Sequence, residues 1–188
     1  MGKTCDCPER ERLLAPVGIL RRLSYTVPKH LLRSVYFSLI HCRLQYLTAL
    51  WYPTKGILIH PIEVLQNKAI KNLYGLPLRY STRNLYSNFN IMPLASIYKY
   101  QVTVYIHQVI KSNRHSNINF CIRSSIHSYG TRQISNINLT RVSSERAKNC
   151  ILFRGVQLHN SIPLNVGSLG VGKCILHAKK NFGPRNSS

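Results

Sequence analysis

Three long stretches of this chain repeat apolar residues at three- and four-residue intervals, the spacing of one face of an α-helix. They span residues 28–51, 58–75 and 94–112. The first repeat consists of Leu32, Val35, Tyr36, Leu39, Tyr46, Leu47 and Leu50. The second consists of Leu58, Ile62, Leu65, Ala69 and Leu73, and the third of Tyr98, Val102, Tyr105 and Val109. Because such stripes must be buried against one another, the pattern predicts a small bundle of three antiparallel amphipathic helices between Pro28 and Ser112.

Proline and glycine mark where these runs begin and end. Pro28 suits the first turn of a helix, and Gly75 stands where a helix C-terminal cap is expected. Between Gly75 and Pro93 the sequence predicts a short helix that begins after Ser81 or Thr82. The β-branched residues of the third run are compatible with a strand, but the length of the run favours a helix.

From Asn113 onward the chain is rich in serine and asparagine, with isolated apolar residues. This composition predicts an irregular region with short strands or helix, including a strand or short helix over Ile151–Leu158. The predicted fold is therefore mainly α. The predicted segments are an N-terminal segment (1–27), the helical bundle (28–112), a basic C-terminal extension (113–163) and a flexible tail (164–188).

The charge balance points to the partner. The chain has 26 Lys and Arg but only 5 Asp and Glu, for a formal net charge of +21. Such an excess attracts polyanions, so nucleic acid is the expected partner and an anionic membrane surface is the competitor. No stretch reaches the roughly 20 apolar residues of a membrane span, and no signal-peptide core is recognisable. We therefore expect an intracellular protein, nuclear or cytoplasmic, with its six cysteines reduced.

The scarcity of carboxylates bears on catalysis. The acidic residues are Asp6, Glu9, Glu11, Glu63 and Glu145. Enzymes that make or cut phosphodiester bonds hold two divalent cations with two or three convergent carboxylates. Asp6 is the only aspartate, and Glu63 and Glu145 stand alone in different segments. The sequence therefore predicts no catalytic residue, no metal site and no cofactor in this chain alone.

Five blocks of the sequence resemble jockey-like non-LTR retrotransposons and occur in the order found in that family. They are "LRSVYFSLIHCRLQYLTALWYP", "LQNKAIKNLYGLPLRYST", "LYSNFNIMPLASIYKYQV", "IHSYGTRQ" and "ILFRGVQLHNSIP". The resemblance covers roughly residues 15–165 and concerns the part of the reverse transcriptase that follows the catalytic palm. The family's palm carries its catalytic aspartates in a "Y/F-A-D-D"-like strand, and no such motif occurs here.

The resemblance implies a thumb and a C-terminal extension of an RNA-directed DNA polymerase, without fingers and palm. A thumb binds the template–primer duplex, so the implied partners are an RNA–DNA or DNA duplex, retroelement RNA and the missing palm. Magnesium is implied as a cofactor only of the full-length polymerase. Together with the charge, this predicts phosphate contacts from nine cations. They are Lys29, Arg33, Arg43, Lys68, Lys71, Arg79, Arg83, Arg132 and Arg154.

Two alternatives remain open at this point. The match decays past Pro163, and "CDCPERER" near the start fits no part of the family, which is expected of a decayed transposon remnant with no selected activity. The third hypothesis is a helical interaction or membrane-surface protein. The spread of the cations disfavours that hypothesis, because they are not concentrated on one amphipathic helix.

Overall fold

Helices make up most of the residues that the computed structural model describes, which are 8–46, 48, 52, 56–82, 84–112, 120–126, 128–130, 133–139 and 141–161. The helices are α1 (Pro8–Leu23), α2 (Lys29–Tyr36), α3 (Cys42–Gln45), α4 (Gly56–Tyr74), α5 (Leu85–Asn88), α6 (Leu94–Ser112), α7 (Glu145–Lys148) and α8 (Ile151–Asn160). A π-helix (Phe37–His41) joins α2 to α3, and Arg123–Ser125 forms a 3₁₀ turn. Among these described residues, β-structure is limited to an isolated bridge between Ile122 and Ile137. The predicted mainly α class is confirmed.

The chain forms two compact units, the first ending at Ile97 and the second beginning at Tyr98. The division falls inside α6, whereas the sequence placed the end of the helical bundle at Ser112. In the first unit α1 packs along α4, and α2 packs against both of them.

Helix α1 is an element that the sequence did not predict, because residues 1–27 were assigned to an N-terminal segment without a helix. Its apolar residues Leu13, Val17 and Leu20 follow helical spacing and are buried. Pro16 and Gly18 lie between them and are both poor helix formers. Burial against α4 outweighs these local preferences, as tertiary packing commonly does.

The π-helix changes which residues of the first run face the core. A π-turn bonds each residue to one five positions away, so it contains more residues than an α-turn. The buried side chains are accordingly four residues apart throughout, at Leu32, Tyr36, Ile40 and Leu44. Tyr46, which the sequence placed on the buried stripe, is 63% exposed. That prediction is wrong because it assumed one uninterrupted helix, whereas α3 ends at Gln45 and the backbone of Tyr46 is extended, with ψ of 120°. Leu47 and Leu50 lie outside the described residues.

Helix α4 confirms the second predicted stripe at four positions, since Ile62, Leu65, Ala69 and Leu73 are all buried. The side chain of Leu58 lies outside the described part. The predicted short helix before Pro93 is α5, and α6 confirms the helical reading of the third run.

A buried amide on α4 connects three parts of the first unit. The Nε2 group of Gln66 donates to the carbonyl of Met92 (2.9 Å) and lies 3.3 Å from the hydroxyl of Tyr36. Its Oε1 accepts from the backbone N–H of Leu94 (3.1 Å), the first residue of α6. Gln66 therefore caps α6 while joining α4 to α2. Burial raises the pKa of Tyr36 to about 12.

Gly75 terminates α4 in the left-handed conformation, with φ of 67°. Its N–H donates to Asn72 O (3.3 Å), and the N–H of Leu76 donates to Lys71 O (2.9 Å). This is the Schellman arrangement, which satisfies two carbonyls at the helix end. The predicted C-terminal cap is confirmed.

Replacing Gly75 by alanine is expected to lower the free energy of unfolding by about 1 kcal/mol, because an L-residue is strained at positive φ. Gly18→Ala is the matched control, since an added Cβ has nothing within 4 Å at either position. In the interior of α1 that change should instead raise the free energy of unfolding by about 0.5–1 kcal/mol. Urea denaturation of both variants measures the difference, and equal effects would contradict the backbone explanation.

In the second unit, α8 packs against α6 through Ile106 and Val156, which are buried together with Ile137. The side-chain amide of Asn160 holds the chain at Ile137, accepting from its N–H (3.1 Å) and donating to its carbonyl (2.9 Å). The predicted element over Ile151–Leu158, left open between strand and helix, is the helix α8.

Candidate nucleic-acid interface

A groove of about 680 Å³ lies in the first unit where the C-terminal ends of α1 and α4 meet the loop after Gly75. Three cations line it: Arg21 from α1, and Lys68 and Lys71 from α4. Between them lie apolar groups, including Val17, and an exposed aromatic ring, Tyr25. The groove therefore combines positive charge with apolar surface.

Among the residues that the structure describes, no carboxylate lines this groove. The carbonyl ends of α1 and α4 contribute about half a negative charge each. Three formal positive charges exceed that contribution, so the groove is net positive by about two charges. The last-turn cations Arg21 and Lys71 also complement the two helix dipoles. Stabilising the helix ends and attracting an anion are compatible roles for them.

Lys71 is held in position at this groove. Its half-buried side chain donates from Nζ to the carbonyl of Leu78 (2.6 Å), tying the loop back onto α4. An ammonium group has three N–H donors, so two remain for an anion. Lys68, one turn earlier on α4, is exposed.

Two of the predicted arginines hold the fold together. Arg33 is half-buried, its Nη1 donates to the carbonyl of Phe89, and its guanidinium lies 5.4 Å from the ring centroid of Phe37. Arg43 donates from Nη1 to the carbonyl of Arg12, which joins α3 to α1. Lys29, the first residue of α2, is exposed.

The remaining predicted cations are dispersed. Arg79 is exposed in the loop that follows Leu78. Arg154 belongs to the second unit, is exposed on α8, and its Nη2 lies 3.4 Å from Asn149 Oδ1. Arg83 and Arg132 lie outside the described residues. The structure thus brings Lys68 and Lys71 together at one groove, and sequence reasoning missed Arg21 and Tyr25. The signal for those two was the basic and aromatic run "LRRLSY".

None of the described carboxylates is among the residues that line this groove. Glu145 is exposed and pairs with Lys148 (2.7 Å), and this hydrogen bond and charge hold its pKa below the ordinary value. Within the described ranges, no group of three His, Cys, Asp or Glu side chains is placed to hold a metal ion. Cys42, Cys121 and Cys150 are free, exposed thiols.

The second unit contains a histidine pair between α6 and α8. Nδ1 of His107 and Nε2 of His159 are 3.5 Å apart, and the two rings are stacked with centroids 5.7 Å apart. Burial lowers the pKa of His159, and the nearby His107 lowers it further. The neutral form of His159 is therefore favoured.

These features define a mainly helical protein with a basic, partly apolar groove. No protein-family model matches the chain, and no curated protein or solved structure matches it significantly. In the part of the chain that is described, every helix is too short or too polar to cross a membrane.

Proposed function

We propose that this chain binds nucleic acid as the thumb and downstream part of a non-LTR retrotransposon reverse transcriptase, and that it catalyses nothing by itself. The observation that carries the binding proposal is the groove at the ends of α1 and α4, whose described lining contains three cations and no carboxylate. The assignment to a reverse transcriptase rests on the five sequence blocks.

Binding would come mainly from phosphate contacts. Lys68, Lys71 and Arg21 would contact the backbone at the groove, and Arg79 would extend the positive surface beside it. Such contacts position a nucleic acid without reading its sequence. The internal bonds of Arg33 and Arg43 suggest a different role for these two, which is to hold α2 and α3 in place.

The partners we propose are a template–primer duplex, retroelement RNA and the polymerase palm, in the nucleus or the cytoplasm. Magnesium would be held by the palm of the complete polymerase. The chain's few carboxylates support this division, because hard divalent cations need several convergent oxygen ligands.

The affinity of the chain for a short RNA–DNA hybrid is expected to fall steeply with salt. Each neutralised phosphate lowers log K by about 0.9 per unit of log salt concentration on a duplex. Fluorescence anisotropy across a salt series measures the slope. Lys68→Gln should reduce the slope by about 0.9, the value for one phosphate contact. Lys99 is an exposed lysine of α6 in the second unit, so Lys99→Gln is the matched control and should leave the slope unchanged.

A salt-insensitive affinity would contradict the phosphate-binding proposal. Equal salt slopes for the unaltered chain and Lys68→Gln would show that the groove does not contribute to the phosphate binding. Nucleotide incorporation by the purified chain with magnesium, free of contaminating polymerase, would overturn the non-catalytic assignment.

A further inference from the structure

The groove between α1 and α4 differs from the rest of the basic surface because it is concave and partly apolar. We infer that it binds an unpaired, single-stranded segment of nucleic acid, with one base stacked on Tyr25 and the adjoining phosphates at Arg21, Lys68 and Lys71. This inference rests on the proposed nucleic-acid binding and specifies the form of the ligand.

The groove's cations can contact the phosphates of a duplex, but its concave, partly apolar shape also suits an unpaired nucleotide. Its volume of about 680 Å³ is in the range of sites that enclose a small organic group. A duplex presents charged, convex backbones and keeps its base faces stacked inside. An unpaired nucleotide exposes an apolar, aromatic face next to a phosphate, which is the combination that this groove complements.

Tyr25 supplies the aromatic surface. It lies two residues after the end of α1, lines the groove and is 80% exposed, so its ring is not part of the core. Leu78 also lines the groove, is 64% exposed, and adds apolar surface at the loop held by Lys71. A base placed between these side chains would cover apolar surface that water now contacts.

The cations are arranged to receive the phosphates of that strand. Arg21 approaches from α1, and Lys68 and Lys71 lie one turn apart on α4. An arginine suits this place because its planar guanidinium binds phosphate oxygens in pairs. Arg22, the next residue, is exposed but does not line the groove.

The test compares a short single-stranded RNA, an RNA–DNA hybrid and an abasic oligomer of equal charge, by anisotropy at one salt concentration. Tyr25→Ala is expected to weaken binding of the single strand about ten-fold, the loss typical of one stacked base. The affinities of Tyr25→Ala for the hybrid and for the abasic oligomer should equal those of the unaltered chain. Tyr25→Phe should retain the single-strand affinity, because it keeps the ring.

Two matched controls separate the groove from the general surface. Tyr129, in the second unit, is 77% exposed, and Tyr129→Ala should leave single-strand affinity unchanged. Arg21→Gln should lower the salt slope on the single strand by about 0.7, the value for one phosphate, and Arg22→Gln should lower it less.

The outcomes distinguish this inference from the proposed function. If the unaltered chain binds none of the three oligomers, the proposed function fails. If it binds the hybrid and Tyr25→Ala leaves single-strand affinity unchanged, or weakens all three ligands equally, only the single-strand site is overturned.

Discussion

Replacing Gln66 by leucine is expected to lower the free energy of unfolding by about 3 kcal/mol, because buried polar groups would lose their partner. The variant keeps a side chain of similar length but can neither donate to Met92 O nor accept from Leu94 N. Gln66 and Leu94 are each 1% exposed, so water cannot replace the lost bonds without a rearrangement. Urea denaturation followed by circular dichroism measures the change.

Gln108→Leu is the matched control for this variant. Gln108 is also a helical glutamine but is exposed on α6, so its replacement should change the free energy of unfolding by less than about 0.5 kcal/mol. Gln66→Glu distinguishes the two hydrogen bonds of the amide. It retains an acceptor for the N–H of Leu94 but loses the donor to the carbonyl of Met92. A fully stable Gln66→Leu protein would show that this network does not hold α4, α2 and α6 together.

Replacing Gly155 by alanine is expected to destabilise the second unit by about 2 kcal/mol through overpacking. The added Cβ would lie 3.0 Å from Cγ1 of Val102 and closer still to Cγ1 of Ile106. Both neighbours are β-branched and buried, so they have little freedom to move aside. Hydrogen exchange of the amides in α8 measures the loss of protection.

A double variant provides the control for this explanation. Ile106→Ala removes the nearest atoms that the new Cβ would meet and leaves only the contact with Val102, so Gly155→Ala should cost less in that background. Gly18→Ala makes the same chemical change in open space and should not destabilise α1. Additive effects of Gly155→Ala and Ile106→Ala would contradict the close contact between α8 and α6.

The stability of the first unit bears directly on the groove. Gln66 precedes Lys68 by two residues and Lys71 by five on α4, so the same helix carries the buried amide and two of the groove's cations. The Schellman cap at Gly75 and the bond from Lys71 to Leu78 then set the loop that closes the groove. The arrangement of positive charge therefore depends on contacts made in the core.

Sequence periodicity predicted α4 well because its stripe is regular and its end carries a glycine suited to positive φ. It failed at α1, where Pro16 and Gly18 obscure the helical pattern, and past the π-helix, where α3 ends at Gln45 and Tyr46 leaves the helix. For the candidate site, charge pointed to Lys68 and Lys71, which line the groove, but it could not separate them from Arg33 and Arg43. Those arginines contact backbone carbonyls supplied by distant residues, at Phe89 and Arg12.

The sequence alone determined the helical class, the capped end of α4, the large positive charge and the shortage of carboxylates. These properties depend on composition or on neighbours within one or two helical turns, which a linear pattern records. The tertiary structure decided that Arg21 and Tyr25 meet Lys68 and Lys71, that Gln66 joins three helices, and that Gly155 touches α6. Such contacts join residues far apart in the chain, so they exist only after burial of apolar surface has set the paths of the helices.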